Sequence, residues 1–237
     1  MLTAQAEPYE FEFDPATTAL VMIDFQRDFV YPGGFGESLG NDTSFLLKAL
    51  PAAERVLKAC RAAGLFIVHT REGHRADLSD LPAAKYERGR PTIHIGDEGP
   101  MGRLLVRGEY GHDIVEEVYP IAGEPIVDKP GKGAFYATDM DTILKTRQIR
   151  QLIVCGVTTE VCVQTSVREA NDRGYDALVL EDCVGSYFPE FQKAALDMIK
   201  AQGGIFGFVG TSADFLAGLG SQFPDAVAVE PAPAASA

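Results

Sequence analysis

Asp24, Lys129 and Cys162 are the side chains of this 237-residue chain whose types and positions could together carry out acyl transfer. Cys162 lies in the stretch Ile153-Val154-Cys155-Gly156-Val157-Thr158-Thr159-Glu160-Val161-Cys162-Val163-Gln164, where an apolar run passes through a polar turn into a helical pattern that reaches Gly174. This reads as a buried strand feeding a helix, with Cys162 in the first helical turn. Unpartnered backbone N–H groups and the helix dipole favour negative charge there, so the thiol is expected to ionise more readily than free cysteine. Asp24 ends the apolar run Thr18–Ile23, and Lys129 ends Pro125–Asp128. Singly, each has a plain explanation: a buried packing cysteine, a turn-capping carboxylate, a solvated lysine. Together they suit a thiolate that attacks a carbonyl carbon, a carboxyl group that moves protons and an ammonium that holds the negative charges in register.

The elements that must position them alternate between strand and helix. Strands are expected at 18–23, 65–70, 125–128, 152–157, 177–182 and 205–209, and helices at 43–63, 138–146, from Cys162 to Gly174, and 191–202. Pro51 should kink or divide the first helix, and Gly64 and Gly203-Gly204 close two of them. Such alternation predicts an α/β fold with a parallel, doubly wound sheet. Ligands in such sheets sit beyond the carboxyl ends of the strands, which is where Asp24, Lys129 and Cys162 fall. Residues 71–111, rich in Gly, Pro, Arg and Asp with a short helical chance near Leu104, are too long for an idle loop and read as a lid or a subunit contact. A single domain is expected over 1–223, followed by a Pro/Ala-rich flexible tail over 224–237.

Composition narrows the partners. With 34 acidic and 21 basic residues the net charge is −13, which argues against nucleic acid or an anionic membrane surface. No apolar run is long enough for a membrane span, and the first residues lack a signal-peptide pattern. Cys60, Cys155, Cys162 and Cys183 form neither a C-x-x-C pair nor a disulfide-dense pattern, so a cytoplasmic setting is expected, with Cys60, Cys155 and Cys183 as packing residues.

Ile23-Asp24-Phe25-Gln26, Asp128-Lys129-Pro130 and Gly156-Val157-Thr158-Thr159-Glu160-Val161-Cys162-Val163 carry a family resemblance. The chain resembles the isochorismatase-like cysteine hydrolases over nearly its whole length. The resemblance implies a three-layer α/β/α, Rossmann-like fold with a six-stranded sheet in the order 3-2-1-4-5-6, and a catalytic Asp24, Lys129 and Cys162. It also implies a cis peptide at Val157–Thr158, an oxyanion site made by the Thr158 and Cys162 N–H groups, and a homotetramer. Further stretches, among them His69–Arg75, Asp77–Pro82, Gly99–Glu109, Lys129–Gly133, Glu169–Tyr175 and Gln202–Gly204, are similar to the biuret and triuret hydrolase branch. The triuret-cleaving enzymes are the nearest within it.

That branch implies hydrolysis of a terminal ureido C–N bond, with triuret as the first substrate to expect, then biuret, then ureidoacrylate or an N-carbamoyl compound. Planar chains of amide donors and acceptors need fixed polar partners and an apolar wall. Phe35, Asn41, Lys132, Tyr187 and Gln202 are the candidates, although Phe35 also fits ordinary packing, Asn41 a helix cap and Gln202 a helix end. No cofactor and no metal are expected. Related nicotinamidases bind a metal through an Asp-x-His element and a later His, and here Glu72-Gly73-His74 and His94 would have to converge. A non-catalytic scaffold that uses 71–111 as an interface is the remaining alternative, and the intact set of Asp24, Lys129 and Cys162 speaks against it.

Overall fold

A computed structural model describes residues 1–88 and 92–228. Its centre is a six-stranded parallel sheet: β1 (Thr18–Ile23), β2 (Phe66–Glu72), β3 (Ile126–Lys129), β4 (Gln151–Val157), β5 (Asp176–Gly185) and β6 (Phe208–Gly210). Their spatial order is β6-β5-β4-β1-β2-β3, the order implied by the resemblance. Strand β1 is buried at every position, as a strand covered on both faces must be. On one face pack α1 (Leu50–Ala62) and α5 (Ser212–Gly220), together with the small antiparallel pair Leu2–Ala4 and Phe11–Phe13. The other face carries α2 (Met140–Thr146), α3 (Gln164–Asn171) and α4 (Pro189–Gly204). The layers are therefore helix, sheet, helix.

Pro51 divides the first helical region, because a proline tolerated in a first turn is not tolerated further in. Ser44–Leu47 forms its own short helix, and α1 begins at Leu50 with Pro51 in its first turn. Strand β5 runs on to Gly185, so Cys183 lies within the strand rather than after it. The expected helix near Leu104 is absent: 71–111 instead continues β2 to Glu72, forms a short helix at Ala83–Tyr86 and makes a tight pair between Glu98–Gly99 and Gly102–Arg103. Part of the expected tail is also structured. Pro224–Val227 is a short helix whose Ala226 is buried and whose Val227 packs on the core, while 229–237 lie outside the described residues. Among the described residues no helix is long and apolar enough to cross a membrane.

Strand register sets the site. Ile23 is opposite Thr70 of β2 and Gly156 of β4, and Glu72 is opposite Lys129 of β3. The residues that follow or end these strands therefore share one edge. Gly156 permits the closeness: its φ is +144°, and a Cβ there would lie 2.3 Å from the Ile23 carbonyl oxygen. We expect Gly156→Ala to destabilise the fold by about 2–4 kcal/mol through backbone strain and a clash between β1 and β4. Urea unfolding checks this; a change below about 1 kcal/mol would contradict the register argument.

Candidate active site

Asp24, the residue after β1, takes a left-handed backbone conformation (φ +51°) and is wholly buried. A non-glycine residue held there is strained, and such strain gathers at functional positions. Its carboxylate accepts a hydrogen bond from Thr70 Oγ1 at 2.6 Å and pairs with Lys129 Nζ at 2.6 Å. Lys129, at the end of β3, also donates to the carbonyl oxygens of Gly131 (3.1 Å) and Lys132 (2.8 Å), which fix the ammonium where the strand stops.

Cys162 reaches the same edge from a wide turn, Thr159–Val163, that precedes α3. The Thr158 carbonyl accepts from the N–H groups of Val161 (3.1 Å) and Val163 (3.2 Å), passing over the Cys162 amide between them. The Val157–Thr158 peptide is cis, as the resemblance implies. Cys162 is 4% exposed and Thr158 8%. Thr158 and Cys162, whose amides are the expected oxyanion donors, are thus both buried beyond the end of β4.

The sequence reading missed a fourth member, Glu72, except as a possible metal ligand. It is fully buried at the end of β2 and lies with its Oε2 3.4 Å from Cys162 Sγ. Oε1 accepts from Lys132 Nζ at 2.7 Å and Lys85 Nζ at 2.9 Å, and Lys129 Nζ lies 3.9 Å from Oε2. Lys85 comes from the short helix inside 71–111, so this segment supplies a residue of the site. Glu72 lies two residues beyond the expected end of the second strand, and Lys85 left no sequence signal.

Charge and burial pull the two carboxylates apart. Burial pushes Asp24 up, Lys129 pulls it down and Glu72 pushes it up again, leaving it above the usual carboxylate range. Burial would also raise Glu72, but Lys132, Lys129 and Lys85 hold it well below that range. One carboxyl group is thus able to carry a proton while its neighbour stays ionised, an arrangement suited to acid–base work.

The thiol departs from its expected state. Burial raises Cys162 well above the usual thiol range; Lys129 and Lys132 oppose this, while Asp24 and Glu72 add to it. Desolvation outweighs the benefit of a helix start, so the resting group is a thiol that donates to Glu72. For the free enzyme, the pH midpoint of iodoacetamide alkylation at Cys162 is expected above the ~8.5 of an ordinary cysteine. A midpoint well below that value would reinstate a preformed thiolate.

Of the residues expected to read the ligand, Lys132 joins the Glu72 cluster. Phe35, Asn41 and Tyr187 form one wall around Gly36. Tyr187 hydroxyl donates to the Phe29 carbonyl at 2.8 Å, Asn41 Nδ2 donates to the Gly36 carbonyl at 3.1 Å, and Phe35 packs half-buried beside them. Burial raises the Tyr187 phenol above its usual range. Gln202 is not brought in. It sits exposed near the end of α4, and the neighbouring Gly204 and Phe206 line a surface cleft with Gln151 and Asp176, the first residues of β4 and β5. Helix α4 runs back across the sheet and carries Gln202 to the opposite edge.

The metal alternative does not fit these residues. Asp24, Glu72 and Cys162 have donor atoms within 4.8 Å of one another, but ammonium groups already stand on both carboxylates. His74 is engaged by Lys85 at Nε2 and by Asp80 at Nδ1, and His94 stacks on Tyr86 and pairs with Asp97. The two histidines do not converge with Glu72 on an open position.

The parallel sheet thus gathers a buried cysteine, aspartate and lysine at its carboxyl edge, an arrangement suited to acyl transfer. More narrowly, the chain belongs to the isochorismatase family: residues 18–214 match the isochorismatase domain. It is similar to the ureidoacrylate amidohydrolase RutB of Caulobacter segnis, with 32% identity covering 94% of each chain. The Caulobacter vibrioides protein of that name is 33% identical over 94% of this chain and 100% of its own. Among solved structures, a cysteine hydrolase from Pseudomonas syringae pv. phaseolicola superimposes with a TM-score of 0.74 at 26% identity, covering 89% of this chain and 96% of that one. These two Caulobacter relatives carry the name of ureidoacrylate rather than of triuret.

Proposed function

We propose that the protein is a cysteine amidohydrolase that cleaves a terminal ureido C–N bond of a small uncharged urea oligomer, triuret first and biuret next. The observation that carries this reading is the engagement of the site's lysines. Lys85 and Lys132 pair with Glu72, and Lys129 pairs with Asp24. Among the described residues at this edge these ammonium groups already have carboxylate partners, so a substrate that brought its own carboxylate would compete with Asp24 and Glu72 for them. A neutral ureido chain meets no such penalty, and its amide groups match the polar wall of Asn41, Lys132 and Tyr187 beside the Phe35 ring.

In the proposed reaction Cys162 attacks the terminal carbonyl carbon and its proton passes to Asp24. The Thr158 and Cys162 N–H groups bear the developing oxyanion. Asp24 then protonates the departing nitrogen, the C–N bond breaks, and ammonia leaves a thioester. Asp24 next takes a proton from water, hydroxide adds to the thioester carbon, the C–S bond breaks and the thiol is restored. The product is a carbamic acid, which loses carbon dioxide. Lys129 keeps Asp24 and the sulfur compatible at close range.

Ureidoacrylate is the second reading, favoured by the names of the two Caulobacter relatives and their 32% and 33% identity. Assembly as a homotetramer, read by sedimentation, belongs to the same proposal. Ammonia release from triuret, biuret, ureidoacrylate and nicotinamide, measured side by side, separates the readings. Triuret or biuret is expected to exceed ureidoacrylate at least tenfold in kcat/KM; the reverse order would replace the first reading by the second.

A further inference from the structure

We infer that Glu72 selects ureido substrates over simple carboxamides by accepting, at Oε2, the N–H on the retained side of the carbonyl under attack. The inference rests on the ureido reading above and assigns a role that acyl transfer by Asp24, Lys129 and Cys162 leaves open.

The two oxygens of Glu72 have different surroundings. Oε1 is held by two ammonium groups, Lys132 at 2.7 Å and Lys85 at 2.9 Å. Oε2 has the Cys162 thiol at 3.4 Å as its hydrogen-bond donor, with Lys129 Nζ further off at 3.9 Å. When the sulfur attacks carbon it gives up its proton, and Oε2 loses that donor at the moment the site is most desolvated. A buried carboxylate oxygen left in that state is costly. Something arriving with the substrate must replace the thiol.

Geometry names the replacement. The donor atoms of Asp24, Glu72 and Cys162 lie within 4.8 Å of one another, so the two carboxylates lie close around the nucleophile. A carbonyl carbon at the sulfur carries two further substituents in its plane. The leaving nitrogen belongs with Asp24, the carboxyl group able to hold a proton. The other substituent then faces Glu72 Oε2, which stays anionic because three lysines surround it. In a urea that substituent is N–H and donates. In a carboxamide it is carbon, and the oxygen goes unsatisfied. Sites built to receive an N–H reject analogues without one strongly, and a charge-assisted hydrogen bond is among the stronger contacts available.

The test compares the faster of biuret and triuret with malonamide, in which methylene replaces the central N–H of biuret, and with biuret methylated on that nitrogen. For the wild-type enzyme we expect the urea to exceed both analogues at least ~10²-fold in kcat/KM. In Glu72→Gln the urea should fall about 10²-fold and its advantage over malonamide shrink to within roughly tenfold. The same variant should move the alkylation midpoint of Cys162 to lower pH, since a neighbouring negative charge is gone. Turnover falling while the thiol ionises more easily is a pairing that simple unfolding does not produce. Malonamide handled within tenfold of the urea by the wild type, or a preference kept intact in Glu72→Gln, overturns the role of Glu72 alone. The wild-type comparison decides the matter if the variant does not fold. Silence of the wild type on every ureido compound overturns the parent reading, and this inference with it.

Discussion

Cys162→Ser is expected to lower turnover by at least about 10⁴-fold while leaving the fold intact. Serine keeps the shape of the side chain in its buried position, so urea unfolding should change by less than about 1 kcal/mol. Its hydroxyl is a far weaker acid than a thiol and needs a strong base for activation. Glu72, which accepts from the thiol, is held well below the usual carboxylate range by Lys132, Lys129 and Lys85, and Asp24, although raised, is still a carboxylate, far weaker than the base a serine hydroxyl needs. What activity remains comes from binding and the oxyanion donors alone, and single removals from such a unit cost nearly as much as removing all of it. Residual turnover within about tenfold of wild type would remove Cys162 from the mechanism.

The second large effect is at Lys129, whose ammonium is fully buried 2.6 Å from Asp24. Lys129→Met leaves a buried carboxylate facing Glu72 without its cation. Breaking a buried pair in this way costs about 3–5 kcal/mol, or roughly 10 °C in Tm for a chain of this size. The sign of its pH dependence follows from Asp24. Loss of the cation raises the folded pKa of Asp24 still further above its unfolded value, so the folded state holds a proton that the unfolded state releases. The variant's deficit should therefore be small in acid and widen as pH rises. Asp24→Asn combined with Lys129→Met removes both charges and should recover most of the lost stability. Turnover in the double variant should stay at least about 10³-fold below wild type, because no group is left to move the proton. A Lys129→Met protein as stable as wild type at pH 8 would mean that Asp24 is not held as an anion by this lysine.

Asp24 and Lys129 were legible in the sequence because each stands where an apolar run stops, and Cys162 because it follows such a run across a short polar turn; strand ends in a parallel sheet must share an edge. The strand order was not in the residue pattern; it came with the family motif around Cys162, and the register of β1 with β2 and β4 agrees with it. Lys85 was hidden because a helix of four residues leaves no periodic trace, and its neighbours say nothing about which loop folds back over the strand ends. Glu72 falls outside the strand expected at 65–70, and its spacing from His74 suggests a metal ligand, whereas His74 is engaged by Asp80 and Lys85. Gln202 misled for a geometric reason: α4 is long enough to cross the sheet, so its two ends belong to opposite edges. The charge state of Cys162 misled for an energetic one. A helix start favours the thiolate by a modest amount, and full burial beside two carboxylates disfavours it by more.

The central claim is that the acyl group passes through Cys162. Rapid quenching of the enzyme during turnover of triuret or biuret, followed by mass analysis of the peptide that contains Cys162, tests it most directly. The account predicts a transient adduct on this peptide equal to the substrate less ammonia, formed no more slowly than ammonia appears and absent from Cys162→Ser. Ammonia released at the wild-type rate by Cys162→Ser, or an adduct found on another residue, would contradict it.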